Sequence, residues 1–508
     1  MLPLSGGLFG TAATALSIPY SYQNHVLPRA ASALGNPYQV MLDAVSVMQS
    51  QYFTGSTWPS AIDWTRAVIN TQLSAADSTI VWSNESSTSL IDKYFSQVKA
   101  FYNGEDYVAV EGEAYDDMQW VVLEWLEAIK FVNLYTSLNP QASATAMDQQ
   151  SIANSAHRAN QFWDLASQGW NTTLCGGGML WNPRLTPYKN AITNELYVSS
   201  SVGMYLYFPG DSTANPPVQA HDAKFLSAAV DAYKWLKSSN MTNSEGLYVD
   251  GFHISGWSSP SNVGSGKCDQ RDESVYTYNQ GVLLSGLRGL WEATGTASYL
   301  DDGNALIKNV IAATGWPTTS GGSWAGMGSN GILQDTCDAT QSCSQDSQTF
   351  KGIFFHHLAI FCEPFTMAQK EGSLINGASP QNAPNCGAYT DWILHNAQAA
   401  YSTVNSTGDF GMYWGAAAPS ASKVEQPANA ADVRNKGVPN DKTWRRTDVA
   451  YQQSAAMVGP PPAPAMPAAV ASSSAVPDPN NDGRGRTVET QQGGLAVLRA
   501  LVQAQGGR

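Results

Sequence analysis

Charge is scarce in this chain. Only 13% of the residues are charged, and 27 basic side chains stand against 41 acidic ones, for a net charge of −14. Little is left over to neutralise phosphates, which argues against nucleic acid or an anionic membrane as partner. No apolar run is long enough to span a bilayer. Histidine is rare, with seven copies, and no H-E-x-x-H occurs. The six cysteines form no C-x-x-C, and none has a histidine at zinc-ligand spacing. No metal and no cofactor are expected. There is no G-x-S-x-G, hence no nucleophile elbow. The stretch GSGK before Cys268 lacks both the earlier glycine of a phosphate-binding loop and the Ser or Thr that follows its lysine. His356 and His357 are adjacent, so on a helix they point about 100° apart. That makes them poor joint ligands and ordinary helix residues.

Strand-like alternation is scarce too, and apolar residues recur mostly at three and four. In SLIDKYFSQVKAFY, Leu90, Ile91, Tyr94, Phe95, Val98, Phe101 and Tyr102 share one helix face. Similar segments fall at about 39–53, 60–74, 88–102, 116–135, 143–168 and 185–207. They continue at about 216–240, 273–294, 297–313, 350–370, 387–403 and 486–505. Some twelve helices fit an all-α fold, an (α/α)6 barrel of six helical hairpins with a pocket at one end. The expected domain runs over 37–505, with a flexible Pro/Ala-rich insertion at about 456–485. The amphipathic run after it would close the barrel; the alternative is that the fold ends near Val458. Residues 1–36 read as a weak signal sequence without a basic start. The C-terminal LVQAQGGR lacks the apolar tail of a lipid-anchor signal.

What abounds is Trp (16), Tyr (22), Gly, Ser, Thr, Asn and Gln. Aromatic faces stack on sugar C–H surfaces and amides bond to hydroxyls, so this composition suits a secreted, sugar-handling protein, expected as a monomer. Sequons at Asn84, Asn171, Asn240 and Asn405 are candidate glycosylation sites. Six cysteines allow 15 pairings, and the short loop CDATQSC makes Cys337–Cys343 a candidate disulfide.

One stretch, EGEAYDDMQW, places Asp116 and Asp117 side by side at the start of a strongly helical run. Three readings apply. The pair could cap the helix. It could join Glu111 and Glu113 around a metal, but the spaced oxygens and turn glycine of a calcium loop are missing. Or it could be the two carboxyls of a glycosidase. Retaining enzymes hold them about 5–5.5 Å apart, which neighbouring residues reach more readily than the 6.5–9.5 Å of inverting ones. Tyr115 and Trp120 would line such a site. Two other helix entrances share its layout of polar and aromatic residues before an apolar helix. One carries Trp181, Asn182, Tyr188, Lys189, Asn190 and Asn194; the other carries Tyr276, Tyr278, Asn279 and Gln280. Capping explains each cluster singly, whereas convergence of the three makes a sugar site.

The motifs AYDDMQW, GGGMLWN…YKNAITNELY, TYNQGVLLSGLRGLWEATGTASYLDD and FKGIF resemble the endo-α-1,6-mannanases of glycoside hydrolase family 76, in family order over about 40–370. The resemblance implies an (α/α)6 barrel acting on α-1,6-linked mannan, with Asp116 as nucleophile and Asp117 as acid/base. It implies mannose subsites along WNPRLTPYKNAITN and TYNQG, and a secreted or cell-wall location. It leaves two alternatives: a cell-wall transglycosylase acting on mannosylated anchors, and a non-catalytic mannan-binding protein.

Overall fold

Six helices are buried along nearly their whole length: α2 (Asp63–Trp82), α5 (Tyr115–Leu138), α7 (Ala191–Tyr207), α9 (Thr277–Thr294), α12 (Phe350–Phe361) and α14 (Val488–Ala504). A helix buried on every face must be surrounded by others. These six surround each other. In the computed structural model, α5 packs between α2 and α7, α9 between α7 and α12, and α14 between α12 and α2, which closes a ring. Six more helices bury a single stripe against it: α1 (Pro37–Gln51) and α13 (Thr390–Tyr401) on α14, α3 (Thr88–Gly104) on α2, α6 (Ala146–Ser167) on α5, α8 (Ala223–Ser238) on α7, and α10 (Ser298–Ala313) on α9. Two five-residue helices, α4 (Tyr107–Glu111) and α11 (Thr336–Thr340), lie in connections. The expected double ring of twelve long helices is what the described residues form.

The structure describes residues 34–83, 88–138, 146–340, 342–364, 378–379, 384, 386–417, 478–481 and 485–506. Residues 1–33, the sequon at Asn84 and most of the Pro/Ala-rich stretch lie outside them.

Several boundaries differ from the periodicity. The helix read from about 60–74 runs to Trp82, because its later turns alternate Ala, Ser and Thr that fit a crowded ring interior. The helix read from about 185 begins only at Ala191. Residues Tyr188–Asn190 instead form β1, the edge of a three-stranded antiparallel sheet with β4 (Gly251–Ile254) and β5 (Cys268–Asp272). Gly251 faces Asn190 across this pair, and a Cβ there would lie 2.6 Å from the Asn190 Cα. Small hairpins β2–β3 (Gly210–Asp211, Val218–Gln219) and β6–β7 (Gly328–Ser329, Ile332–Leu333) complete the loops.

The first turns of the inner helices touch one another, so their N-termini share one end of the barrel. Thr65 of α2 donates to Glu489 of α14 at 2.9 Å. The α2 residue Trp64 stacks on Trp120 of α5 at 5.7 Å, and Gln119 of α5 donates to the Thr193 carbonyl of α7 at 3.2 Å. Tyr278 of α9 stacks on Phe350 of α12 at 3.8 Å. His356 and His357, further along α12, are buried helix residues: His356 accepts from Arg499 at 2.7 Å and His357 pairs with Ser285 at 2.8 Å. All six cysteines are paired, as Cys175–Cys268, Cys337–Cys343 and Cys362–Cys386.

Close helix approach depends on glycine at the α9–α12 seam. A Cβ on Gly281 would sit 2.5 Å from the Phe354 Cα, a backbone atom that cannot swing away. Gly281→Ala should therefore cost about 1–3 kcal/mol, read as a lower denaturant midpoint. Gly35→Ala, with nothing within 4 Å, is the control and should leave the midpoint in place.

Candidate active site

Asp116 and Asp117 occupy the first turn of α5, where unpaired backbone N–H groups and the helix dipole favour negative charge. Both are buried, with 8% and 5% of their surface exposed. Carboxyls are rarely buried to this degree, so the pair is not a simple surface cap. Capping is nonetheless part of its work: the Ala114 N–H donates to Asp117 Oδ2 at 3.1 Å.

The two carboxyls have different surroundings. Asp116 accepts from its neighbour's backbone, Asp117 N–H to Oδ1 at 3.1 Å, and from the Trp181 indole N–H to Oδ2 at 3.0 Å. Two donors stabilise a negative charge there. Asp117 is held well above the usual carboxylate range, first by burial and then by the charges of Asp116 and Glu113 beside it. Asp346, at the entrance of α12, adds to the same push. It is held there by the Trp64 indole N–H at 2.9 Å. Adjacent in sequence, the two carboxyls thus sit in unlike surroundings.

Trp181 reaches Asp116 because its backbone is pinned at both ends. Its carbonyl accepts the Tyr115 N–H, and its own N–H donates to the Tyr188 carbonyl, each at 2.8 Å. The loop before it is wound around one ammonium. Lys189 Nζ donates to the carbonyls of Asn171 (2.6 Å), Leu174 (2.8 Å) and Gly178 (2.9 Å), and also to that of Gly177. Cys175, Gly176, Gly177 and Gly178 all have positive φ, which turns these carbonyls inward. Burial pulls Lys189 down to about 7, while the ring of carbonyls favours its charged form.

Other expected contact residues turn out to be braces. Asn194 accepts the Met179 N–H at 2.7 Å and donates to the Asn190 carbonyl at 2.8 Å. Gln280 accepts the Tyr248 N–H and donates to its carbonyl, both at 2.8 Å. Tyr188 donates to Asp250 at 2.6 Å and packs edge-on to Trp181. Asn182 accepts the Arg184 N–H at 2.9 Å. Lys189, Asn190, Asn194, Asn279 and Gln280 are fully buried; Lys189, Asn194 and Gln280 are bonded to backbone groups, whereas the amides of Asn190 and Asn279 have no protein partner. Helix entrances need such clamps to fix adjoining loops, and sequence alone cannot tell a clamp from a contact. Trp120 is also buried, against Trp64 and near His357. Tyr115 and Tyr276 remain partly exposed at the entrances of α5 and α9. Glu113 was weighed beside the pair only as a metal ligand, and Asp346 was not expected at the site. Glu113 lies four residues before Asp117, a spacing that hinted at contact; nothing in the sequence pointed to Asp346. The candidate metal ligands do not gather. Among the described residues, the one His/Cys/Asp/Glu cluster with ligand-like spacing is Cys337, Asp338 and Cys343, whose sulfurs are already in a disulfide.

Comparison with known proteins places this geometry. The model of glycosyl hydrolase family 76 matches residues 102–444. The mannan endo-1,6-alpha-mannosidases DCW1 and DFG5 of Saccharomyces cerevisiae are 24% and 23% identical over 59% and 44% of the chain. The matches span 62% and 43% of those relatives' own lengths. Among solved structures, an α-1,6-mannanase of Salegentibacter sp. HEL1_6 superposes with a TM-score of 0.54 at 18% identity, over 92% of this chain and 100% of that one. That protein is an inactive variant, with two consecutive aspartates replaced, in complex with alpha-1,6-mannotetrose. Dfg5 from Chaetomium thermophilum, in complex with glucosamine, gives 0.51 at 15% identity, over 78% of this chain and 86% of that one.

Replacing Lys189 by Met removes the donor shared by four carbonyls, three of them buried; a buried carbonyl left unpaired costs about 1–3 kcal/mol. Arginine's planar fork should not substitute for the compact ammonium. Both variants should show fast proteolysis within residues 171–178, measured by mass mapping, while far-ultraviolet helicity persists.

Proposed function

Because the chain belongs to glycosyl hydrolase family 76, we propose that it cleaves α-1,6-mannosidic linkages inside mannan with net retention of configuration. The observation that carries this reading is the unequal treatment of two adjacent buried carboxyls. In the first half-reaction an Asp116 oxygen bonds to the anomeric carbon. The glycosidic bond breaks and its oxygen takes the proton of Asp117. In the second half-reaction water gives Asp117 its proton as the water oxygen bonds to the same carbon, and the Asp116 ester breaks. The names of the yeast relatives support the linkage. The loss of activity in a structural neighbour lacking two consecutive aspartates supports the roles. Tyr115 and Tyr276, partly open at the entrances of α5 and α9, are the side chains we assign to the sugar. A saccharide hydroxyl in place of water would make the same site a transglycosylase.

A secreted or cell-wall location fits three disulfides, which persist in oxidising compartments. The exposed Asn240 and the partly exposed Asn171 and Asn405 remain the sequons we assign to glycans.

Proton NMR of the first product from linear α-1,6-mannan should show the α-anomer; a β-anomer would refute adjacent-carboxyl retention. Asp117→Ala should lose about 10²–10⁴-fold in turnover and regain part of it with azide on substrates with good leaving groups. The pH profile has a definite sign. Asp117 must be protonated to act, and its proton is held well above the ordinary range. Activity should therefore persist above the usual carboxylate range and fall as pH rises through the Asp117 pKa. Asp117→Asn should abolish that limb.

A further inference from the structure

The Trp181 indole touches the carboxylate that reacts, and its position changes the two half-reactions in opposite directions. We propose that Trp181 sets the lifetime of the glycosyl–Asp116 ester, by holding the carboxylate as it leaves in the second half-reaction; this rests on the retaining reading above. The indole N–H donates to Asp116 Oδ2 at 3.0 Å, in a setting where Trp181 and Asp116 each expose only 8% of their surface. Buried donors aimed at a charge act with little competition from water.

Consider the charge on Asp116 through the cycle. It is full in the free enzyme, lost when the ester forms, and restored when the ester breaks. A fixed donor stabilises the first and last states more than the ester between them. It therefore makes Asp116 a weaker nucleophile and a better leaving group. In the step that breaks the ester, the acceptor oxygen bonds to the anomeric carbon and its proton passes to Asp117. The electron pair of the C–O bond returns to Asp116, where Trp181 receives it. The donor is stiffly mounted: both backbone groups of Trp181 are bonded, to Tyr115 and Tyr188. Tyr188 is itself anchored on Asp250. Such rigidity is what a group needs if it is to act at the moment charge returns.

Trp181→Phe removes the donor but also part of the ring. Replacing Trp181 with 3-benzothienylalanine, by suppression of a stop codon, removes the N–H and keeps the bicyclic shape. Both variants would be assayed on an aryl α-1,6-mannotrioside with a good leaving group, where ester formation is fast and breakdown limits turnover. Expected is a fall in kcat of about ten- to hundredfold, the range for a hydrogen bond to a charged group. Over the same change kcat/KM should hold or rise, and intact-mass spectra should show the glycosylated protein at steady state. Equal losses in kcat and kcat/KM without an accumulated adduct, in the isosteric variant, would overturn the proposal and leave Trp181 a packing residue. An unchanged kcat in that variant would overturn it as well. Failure of the wild-type protein to act on α-1,6-linked mannosides at all would strike the functional reading instead, and is seen before any variant is made.

Discussion

One buried ammonium holds the candidate site together. Lys189 sits inside a loop whose left-handed residues point four carbonyls at a common centre. Without a cation there, those carbonyls would repel one another, and only those of Leu174 and Gly178 would keep a backbone donor, from Gly177 and Asn171. With it, the loop becomes a rigid mount, stapled to β5 by Cys175–Cys268. The mount delivers Met179 to Asn194 and Trp181 to Asp116. An electrostatic interaction in the loop is thus linked, through Trp181, to one of the two adjacent carboxyls.

The ring of helices supplies the second constraint. Six N-termini share one end, each offering backbone N–H groups and a partial positive charge. Acidic side chains collect there: Asp116 and Asp117 on α5, Asp346 before α12, and Glu489 on α14. The pair on α5 is told apart by its partners rather than by position. Asp116 accepts two N–H donors, whereas Asp117 accepts one and faces burial and like charge. Two adjacent carboxyls of a protein with a net charge of −14 thus sit in unlike settings within a single helical turn.

The double ring was legible because its signal is periodic and repeated. Each of the twelve helices carries apolar residues at three- and four-residue spacing. The Asp pair was legible because adjacent acids at a helix start are rare enough to demand a reason. What the sequence did not reveal was which polar atoms already have partners. Lys189, Asn194 and Gln280 look like sugar ligands by type and place, yet backbone groups far along the chain claim their side chains. Asp346 escaped notice because it lies 229 positions after Asp117 and meets it only through ring closure (346 − 117 = 229). The strand Tyr188–Asn190 was read as helix because its partner, Gly251–Ile254, is distant in sequence and contributes no local pattern.

Ring closure also governs how the chain can be made. The inner helix that completes the circle, α14, spans Val488–Ala504, and it wedges between α12 and the first inner helix, α2. Until those residues leave the ribosome, the flanks of α2 and α12 have no covering partner and expose apolar surface. Contacts this distant in sequence form slowly and late. Unfinished chains of this kind are prone to aggregate. The fold is thus completed as one unit once its last inner helix has been made, rather than domain by domain.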